Sequence, residues 1–298
     1  MNTNNNLYTV IYTTIIVVLV AAILALVSQS LKSRQLANEK AETISQMLTA
    51  AQFGTKADFQ KAGNTAVLAR YAEEIAKAYT VNPDGETLGE LPLDKVYSPS
   101  ELKKQNYKLK GAGSPEIPVF EFKNGVRVVP VYGAGLWGPV WGYIAFEQKD
   151  GAWVIKGAYF DHESETAGLG ARIKDDLSFQ HEFVGEIPTF GSSNVFDIVK
   201  GGSPKNPYGS EVIDTKVDAI TGATMTSQGL EKAIDTWLGA YANLFDATAG
   251  KACKGDHEGC KGNHEGCKGN HEGCKGDHEN CQHEQCDGNC EHHNATEE

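Results

Sequence analysis

No charged side chain occurs from Leu7 to Val27, where Ile, Val, Leu and Ala dominate. A run of that length matches the hydrocarbon core of a bilayer and predicts one transmembrane helix over 7–27. A cleaved signal peptide would need a basic start, and Met1 to Asn6 contains no Lys or Arg, so the span is expected to be retained. Beyond it, apolar residues recur at helical spacing: Ile44, Met47, Leu48 and Ala51, then Val67, Leu68, Tyr71 and Ile75. The spacing predicts amphipathic helices over 37–51 and 65–79, inside a membrane-proximal helical region of residues 28–110.

From Pro118 the pattern shortens to β-rich runs: 118–122, 126–132, 141–146, 152–160, 194–199 and 211–219. Asn124-Gly125 and Asp150-Gly151 supply residues that tolerate positive φ and predict tight hairpins between them. Adjacent hairpins pair antiparallel, so residues 111–248 are expected to form an α+β domain rather than a doubly wound one. A last helix is expected over 227–245, with Leu230, Ile234, Trp237, Leu238, Tyr241 and Phe245 on the face that packs on the sheet. Residues 249–298 form a tail with nothing apolar to bury, expected to be flexible.

The chain of 298 residues has a formal net charge of -12. Five Lys against eleven Asp and Glu over 251–298 give -6, and the remainder gives the other -6. No basic face is available for phosphate contacts, which argues against nucleic acid as a partner. All seven cysteines fall between Cys253 and Cys290, so the globular part folds without disulfide or thiolate-held metal. The domain has no Gly-x-Ser-x-Gly elbow and no cysteine nucleophile. It has no Gly-x-Gly-x-x-Gly after a strand either, so any oxidation of NADH is expected to belong to a partner.

The segment with the clearest chemistry is Asp218-Ala219-Ile220-Thr221-Gly222-Ala223-Thr224, between the last strand and the last helix. Gly222 and Ala223 permit close backbone approach. A phosphate on the Thr224 hydroxyl would meet free N–H groups and the positive end of the helix dipole. By itself such a loop is also an ordinary turn and cap. His162 by itself reads as a solvent-exposed loop residue, and Glu163 and Glu165 as a solvated turn. Trp137 and Trp141 could equally cap a core or stack on a ring.

Residues 218–224 are similar to the Asp-x-x-Ser/Thr-Gly-Ala-Ser/Thr signature of covalently flavinylated FMN-binding domains. His162 to Gly170 resembles that family's His-x-Glu-Thr-Pro-Gly-Leu-Gly loop, with Ala167 in place of the proline, and Gly135 to Tyr143 resembles its Gly-rich aromatic segment. The layout of one span followed by this domain, residues 7 to 245, resembles the C subunits of sodium-pumping NADH:quinone reductases. The resemblance implies FMN held through its phosphate on Thr224, with Asp218, Thr221, Gly222, Ala223, Glu165, Thr166, Gly168, Leu169, Gly170 and Trp137 as cofactor-binding residues. It also implies other subunits of a membrane redox complex as partners and a flavin transferase that installs the FMN. The chain would then be an electron carrier of a Na+-transporting enzyme, incomplete alone, in the bacterial inner membrane with a periplasmic flavin domain. Lys32, Arg34 and Lys40 after the span pull the other way, towards a cytoplasmic domain. The flavin protein of the related ferredoxin:NAD electron-transport complex is the neighbouring alternative.

The tail lies outside that resemblance. It repeats Cys-Lys-Gly-Asp/Asn-His-Glu-Gly/Asn from Cys253, Cys260, Cys267 and Cys274, which sets His257, His264, His271 and His278 between thiols. Soft S and N donors at that spacing suit zinc or another soft transition metal. A membrane-tethered metal-binding protein is therefore a second reading, and a plain solvated tail a third.

Overall fold

The computed structural model describes residues 6–149, 151–192, 194–200 and 216–245. The first helix, α1 (Asn6–Ala50), runs 45 residues without a break, about 68 Å at the usual rise. The span over 7–27 and the helix over 37–51 are thus one rod, because no Pro or Gly interrupts the chain between them. Its N-terminal part, exposed from Val10 to Val27, is long and apolar enough to cross a membrane. Its last turns, from Ala41, are buried except at Glu42 and, in part, Thr49.

Two short helices follow: α2 (Lys56–Ala62), opened by a capping box between Thr55 and Asp58, and α3 (Asn64–Glu74). Here the structure corrects the sequence pattern. The helix expected to reach residue 79 ends at Glu74, and β1 (Ile75–Val81) takes over. Apolar spacing alone does not separate the two states. Ile75, Tyr79, Thr80 and Val81 are β-branched or aromatic and gain a ladder with a strand some forty residues later. With β2 (Thr87–Glu90) and α4 (Pro99–Tyr107), residues 28–110 are not a purely helical region; they contribute two strands to the main sheet.

The rest of that sheet is β3 (Ile117–Phe122), β4 (Arg127–Ala134), β5 (Pro139–Lys149) and β6 (Ala152–His162). Its order is β2-β1-β3-β4-β5-β6, antiparallel throughout. Gly125 and Gly151 turn their hairpins at positive φ, as their sequence context requires. Then come α5 (Arg172–Asp175), α6 (Leu177–His181), β7 (Asp197–Val199), β8 (Lys216–Asp218), α7 (Thr224–Ala240) and α8 (Ala242–Phe245). β7 and β8 pair parallel, the one exception among the described strands to the expected antiparallel pairing. Residues 211–215 of the strand expected over 211–219 lie outside the described residues.

The sheet separates two cores. α7 lays Leu230, Ile234, Trp237 and Leu238 on one face with Val129, Val131 and Phe146, while α1 and α3 cover the other around Phe120, Phe122, Tyr143 and Tyr159. The fold is α+β.

Two contacts fix the direction of α1. Ala50 lies against Gly157, with no room there for a Cβ, and Gln46 donates to Asp161 near the end of β6 at 2.8 Å. Continued towards its N-terminus, α1 therefore leaves the domain past the end of the sheet where β6 and β4 stop and β5 begins. α7 starts at the same end: a Cβ on Gly229 would collide with the Ala134 carbonyl, and one on Gly133 with Ala233. The apolar span and Thr224 lie off one edge of the sheet.

Gly229→Ala is therefore expected to destabilise the domain by about 1–3 kcal/mol, the range for overpacking against rigid backbone. Gly239→Ala on the same helix, with nothing within 4 Å of the new methyl, should instead stabilise by up to ~1 kcal/mol. Denaturant melts of the two variants check the pair.

Candidate functional site

Three loops meet beyond that edge. The first joins β8 to α7 and carries Thr221, Gly222 and Ala223. Gly222 sits at φ +81°, a conformation that favours glycine. The Ile220 N–H donates to the buried Ser227 hydroxyl at 3.2 Å, which folds the loop back on the first turn of α7. Ala223 precedes the helix, and no side chain caps it. Thr224 is the first helical residue, with its side chain exposed. Uncapped N–H groups and the helix dipole thus surround a free hydroxyl, a setting that suits a bound phosphate.

The second loop, residues 163–170, passes beside the first, so that a Cβ on Gly222 would stand 3.1 Å from Leu169 Cδ2. Gly168 turns it at φ +75°, and the Thr166 carbonyl accepts from the Leu169 and Ala171 N–H groups. Glu165 departs from the solvated turn its sequence suggests: it is only 7% exposed. One carboxylate oxygen accepts from the Trp137 N–H at 2.9 Å and the other from the Thr226 hydroxyl at 2.6 Å. Its own N–H donates to His162 Nδ1 at 3.2 Å, which half-buries His162 at the root of the loop. Glu163 stays exposed.

The third loop is the β4–β5 hairpin tip, Gly135 to Gly138. It presents Leu136 and Trp137 to solvent, Trp137 at 67% exposure. Trp141 is different: it is partly buried in the sheet, and its indole N–H points to Gln46 of α1. It belongs to the packing of α1, not to the exposed site.

A cavity of about 320 Å³ opens beside Thr224, bounded by Asp218 to Gly222 on one wall and by Arg172, Asp176, Ser178, Phe179, Glu182 and Lys200 on the others. The Ser178 hydroxyl, with the Arg172 guanidinium behind it, holds the Asp176 carboxyl below the ordinary carboxylate range. Glu182 accepts from the Asp218 N–H at 2.7 Å and so fixes the strand before the Thr224 loop.

Asp218, Thr221, Gly222, Ala223, Thr224, Glu165, Leu169, Gly170 and Trp137 are thus brought together, with Thr166 and Gly168 shaping the second loop. Sequence reasoning missed Thr226, Arg172, Ser178, Glu182 and Lys200. Thr226 carries no motif signal, since only the fold sets its hydroxyl against a residue 61 positions away. The proposed metal ligands Cys253, His257, Cys260, His264, Cys267, His271, Cys274 and His278 lie outside the described residues. Among the described residues no group of three His, Cys, Asp or Glu side chains is placed to hold a metal.

Residues 135–239, which contain all three loops, match the family model described as an FMN-binding domain. Over 190 residues the chain is 30% identical to the C subunit of the Na(+)-translocating NADH-quinone reductase of Haemophilus ducreyi, covering 60% of this chain and 67% of that protein. It is 38% identical over 114 residues to the corresponding protein of Vibrio anguillarum, covering 38% of this chain and 41% of the relative. The crystal structure of the C subunit of the Na(+)-translocating NADH-quinone reductase from Parabacteroides distasonis superposes with a TM-score of 0.56 at 28% identity, covering 73% of this chain and 98% of that one. NqrC from Shewanella oneidensis superposes at 0.52 with 25% identity, covering 70% and 97%. Sequence, domain and fold agree on one group, and the chain belongs to the family of C subunits of Na(+)-translocating NADH-quinone reductases, with an FMN-binding domain that takes in the three loops and Thr224.

Proposed function

We propose that the chain is the membrane-anchored electron carrier of a Na+-pumping NADH:quinone reductase and holds FMN as a phosphoester of Thr224. One observation carries the reading: an exposed threonine hydroxyl stands at the uncapped start of a 17-residue helix, beside a cavity large enough for part of a flavin nucleotide. No Lys, Arg or His is hydrogen-bonded to Thr224 among the described residues to activate it. The family resemblance implies a separate flavin transferase that makes the bond with FAD as donor, in which case the Thr224 oxygen would displace AMP from the FMN phosphorus. The bound flavin supplies one- and two-electron redox chemistry.

The chain's own residues hold and orient it. The first-turn N–H groups of α7 would hold the phosphate, while Arg172, Ser178 and Lys200 line the polar side of the cavity. Trp137, Leu169 and Met225 are exposed apolar side chains on two of the three loops and the first turn of α7, against which the ring could lie. Thr166, Gly168 and Gly170 act by shaping the loop that carries Leu169. NADH oxidation falls to a partner protein, and the names of the relatives favour the quinone reductase over the ferredoxin:NAD complex.

The shared edge of span and site supports the partnership. α1 leaves the domain on the side where Thr224 lies, so the flavin faces the membrane and whatever proteins are embedded in it. We place the domain on the periplasmic face of the bacterial inner membrane. The positive-inside bias of Lys32, Arg34 and Lys40 weakens for large domains and yields where neighbouring subunits fix the topology. A second reading is favoured by the tail alone: four Cys-x3-His units at a spacing of seven would give the same chain a site for zinc or another soft metal, without bearing on the flavin.

Thr224→Ala should abolish covalent flavin with an unchanged melting profile, because the hydroxyl caps nothing. Thr221→Ala should keep the flavin. In-gel flavin fluorescence after denaturing electrophoresis reads both, and a fluorescent Thr224→Ala band would refute the assignment.

Deleting residues 251–298 should leave flavin content and melting temperature unchanged and remove bound zinc. A melting point lowered by several degrees would show the tail to be part of the domain, and zinc retained by the deletion would refute the tail as its ligand.

For sidedness, a membrane-impermeant thiol reagent applied to mildly reduced spheroplasts should label Cys253 to Cys290 without lysis. Labelling only after lysis would make the domain cytoplasmic.

A further inference from the structure

We propose that Glu165 is the positioning residue of the flavin site. It acts through the Trp137 backbone and the Thr226 hydroxyl, without touching the flavin, to set the gap between the β4–β5 hairpin tip and the start of α7. The proposal rests on the reading that Thr224 bears the FMN.

Its carboxylate is spread across two elements that share no sequence neighbourhood. One oxygen takes the Trp137 N–H, the backbone of the most exposed indole at the site, and the other takes the hydroxyl of Thr226, two residues beyond Thr224 and only 1% exposed. The N–H of Glu165 is itself held by His162 at the end of β6. The space for this carboxylate is reserved by glycines. A Cβ on Gly135 would come within 2.5 Å of Oε1, and one on Gly170 would collide with Oε2 and stand 2.6 Å from the Thr226 hydroxyl.

Among the described residues Glu165 joins no ion pair. A buried carboxylate without a cation is expensive to keep, and its free energy is recovered only through the hydrogen bonds it accepts. Those two bonds join the hairpin that carries Leu136 and Trp137 to the turn that carries Thr224. A ring anchored at Thr224 lies between parts whose separation Glu165 sets. Glutamine can make the same link, since its oxygen accepts from Trp137 N–H while its amide donates to the Thr226 oxygen. Alanine cannot.

The test uses flavinylated full-length wild type, Glu165→Gln, Glu165→Ala, Thr226→Val and the Glu165→Ala/Thr226→Val double variant. Covalent flavin is first confirmed in gel, and its absence from wild type would refute the Thr224 reading separately. Fluorescence anisotropy, read per bound flavin, and the flavin midpoint potential are then compared. Expected are a fall in anisotropy and a shifted potential in Glu165→Ala and Thr226→Val, no further change in the double variant, and wild-type anisotropy in Glu165→Gln. Anisotropy decides for Gln, because removing a charge moves the potential by itself. Wild-type anisotropy and potential in both Glu165→Ala and Thr226→Val would overturn the proposal, as would a Glu165→Gln anisotropy as low as that of Ala. Where Glu165→Ala does not fold, Thr226→Val, which removes one arm of the link at nearly constant volume, decides by the same readings.

Discussion

Backbone meets backbone where α7 crosses the end of β4: Gly229 lies on the Ala134 carbonyl and Gly135, and Gly133 lies on Ala233. Side chains at these places would lift the helix by ångströms. That approach sets Thr224 one turn beyond the sheet edge, level with the hairpin tip and the loop after β6, and the rest of the site depends on it. The Trp237 indole locks the last turn of the helix by donating to the Tyr132 carbonyl, and the Tyr241 hydroxyl does the same just past its end by donating to the Pro118 carbonyl. These buried donors each find their partners in one register, so α7 has little freedom to slide along the sheet.

The other face of the sheet does for the anchor what α7 does for the site. Gly157 accepts the end of α1 as closely as Gly229 accepts β4, and Gln46 ties the same helix to Asp161, which also accepts from Lys174 of α5 and from the His162 N–H. One residue on, His162 begins the loop that ends at Gly170. A membrane helix without a hinge is thus joined to the root of a loop at the candidate site through two hydrogen bonds. In a carrier that must meet partners held in a bilayer, such a link fixes the orientation of the site relative to the span.

The parts of this arrangement that a linear reading can reach are those with local causes. The hairpins at Asn124-Gly125 and Asp150-Gly151, the apolar face of α7 and the glycine turn before Thr224 are each set by residues within a few positions. Resemblance reaches further and points to all three loops. The strand β1 reads as helix because Val67, Leu68, Tyr71 and Ile75 keep a helical period, while the reason for the strand, its pairing with β3, lies across some forty residues. Glu165 reads as a solvated turn for the same cause: its two partners are 28 and 61 positions away. Around the cavity, Lys200 is brought to residues 218–224 by β7 pairing with β8, while Arg172 and Ser178 sit on α5 and α6, which pack on β6.

Between Val27, the end of the uncharged run, and Ala41, the first buried residue, α1 is exposed for twelve residues, Ser28 to Glu39, and half-buried at Lys40. That is close to 20 Å of helix at the usual rise. Its residues are mostly polar, including Ser28, Gln29, Ser30, Lys32, Ser33, Arg34 and Gln35, as suits headgroups and water rather than hydrocarbon. The domain therefore stands off the hydrocarbon, and the three loops of the site point back into that interval. In a polar layer of this depth, an apolar rim of Leu136, Trp137, Leu169 and Met225 would gain nothing by staying wet. If Thr224 carries the flavin as proposed, the ring would give those side chains something to bury and would be presented on the side from which a membrane-embedded redox partner would have to approach.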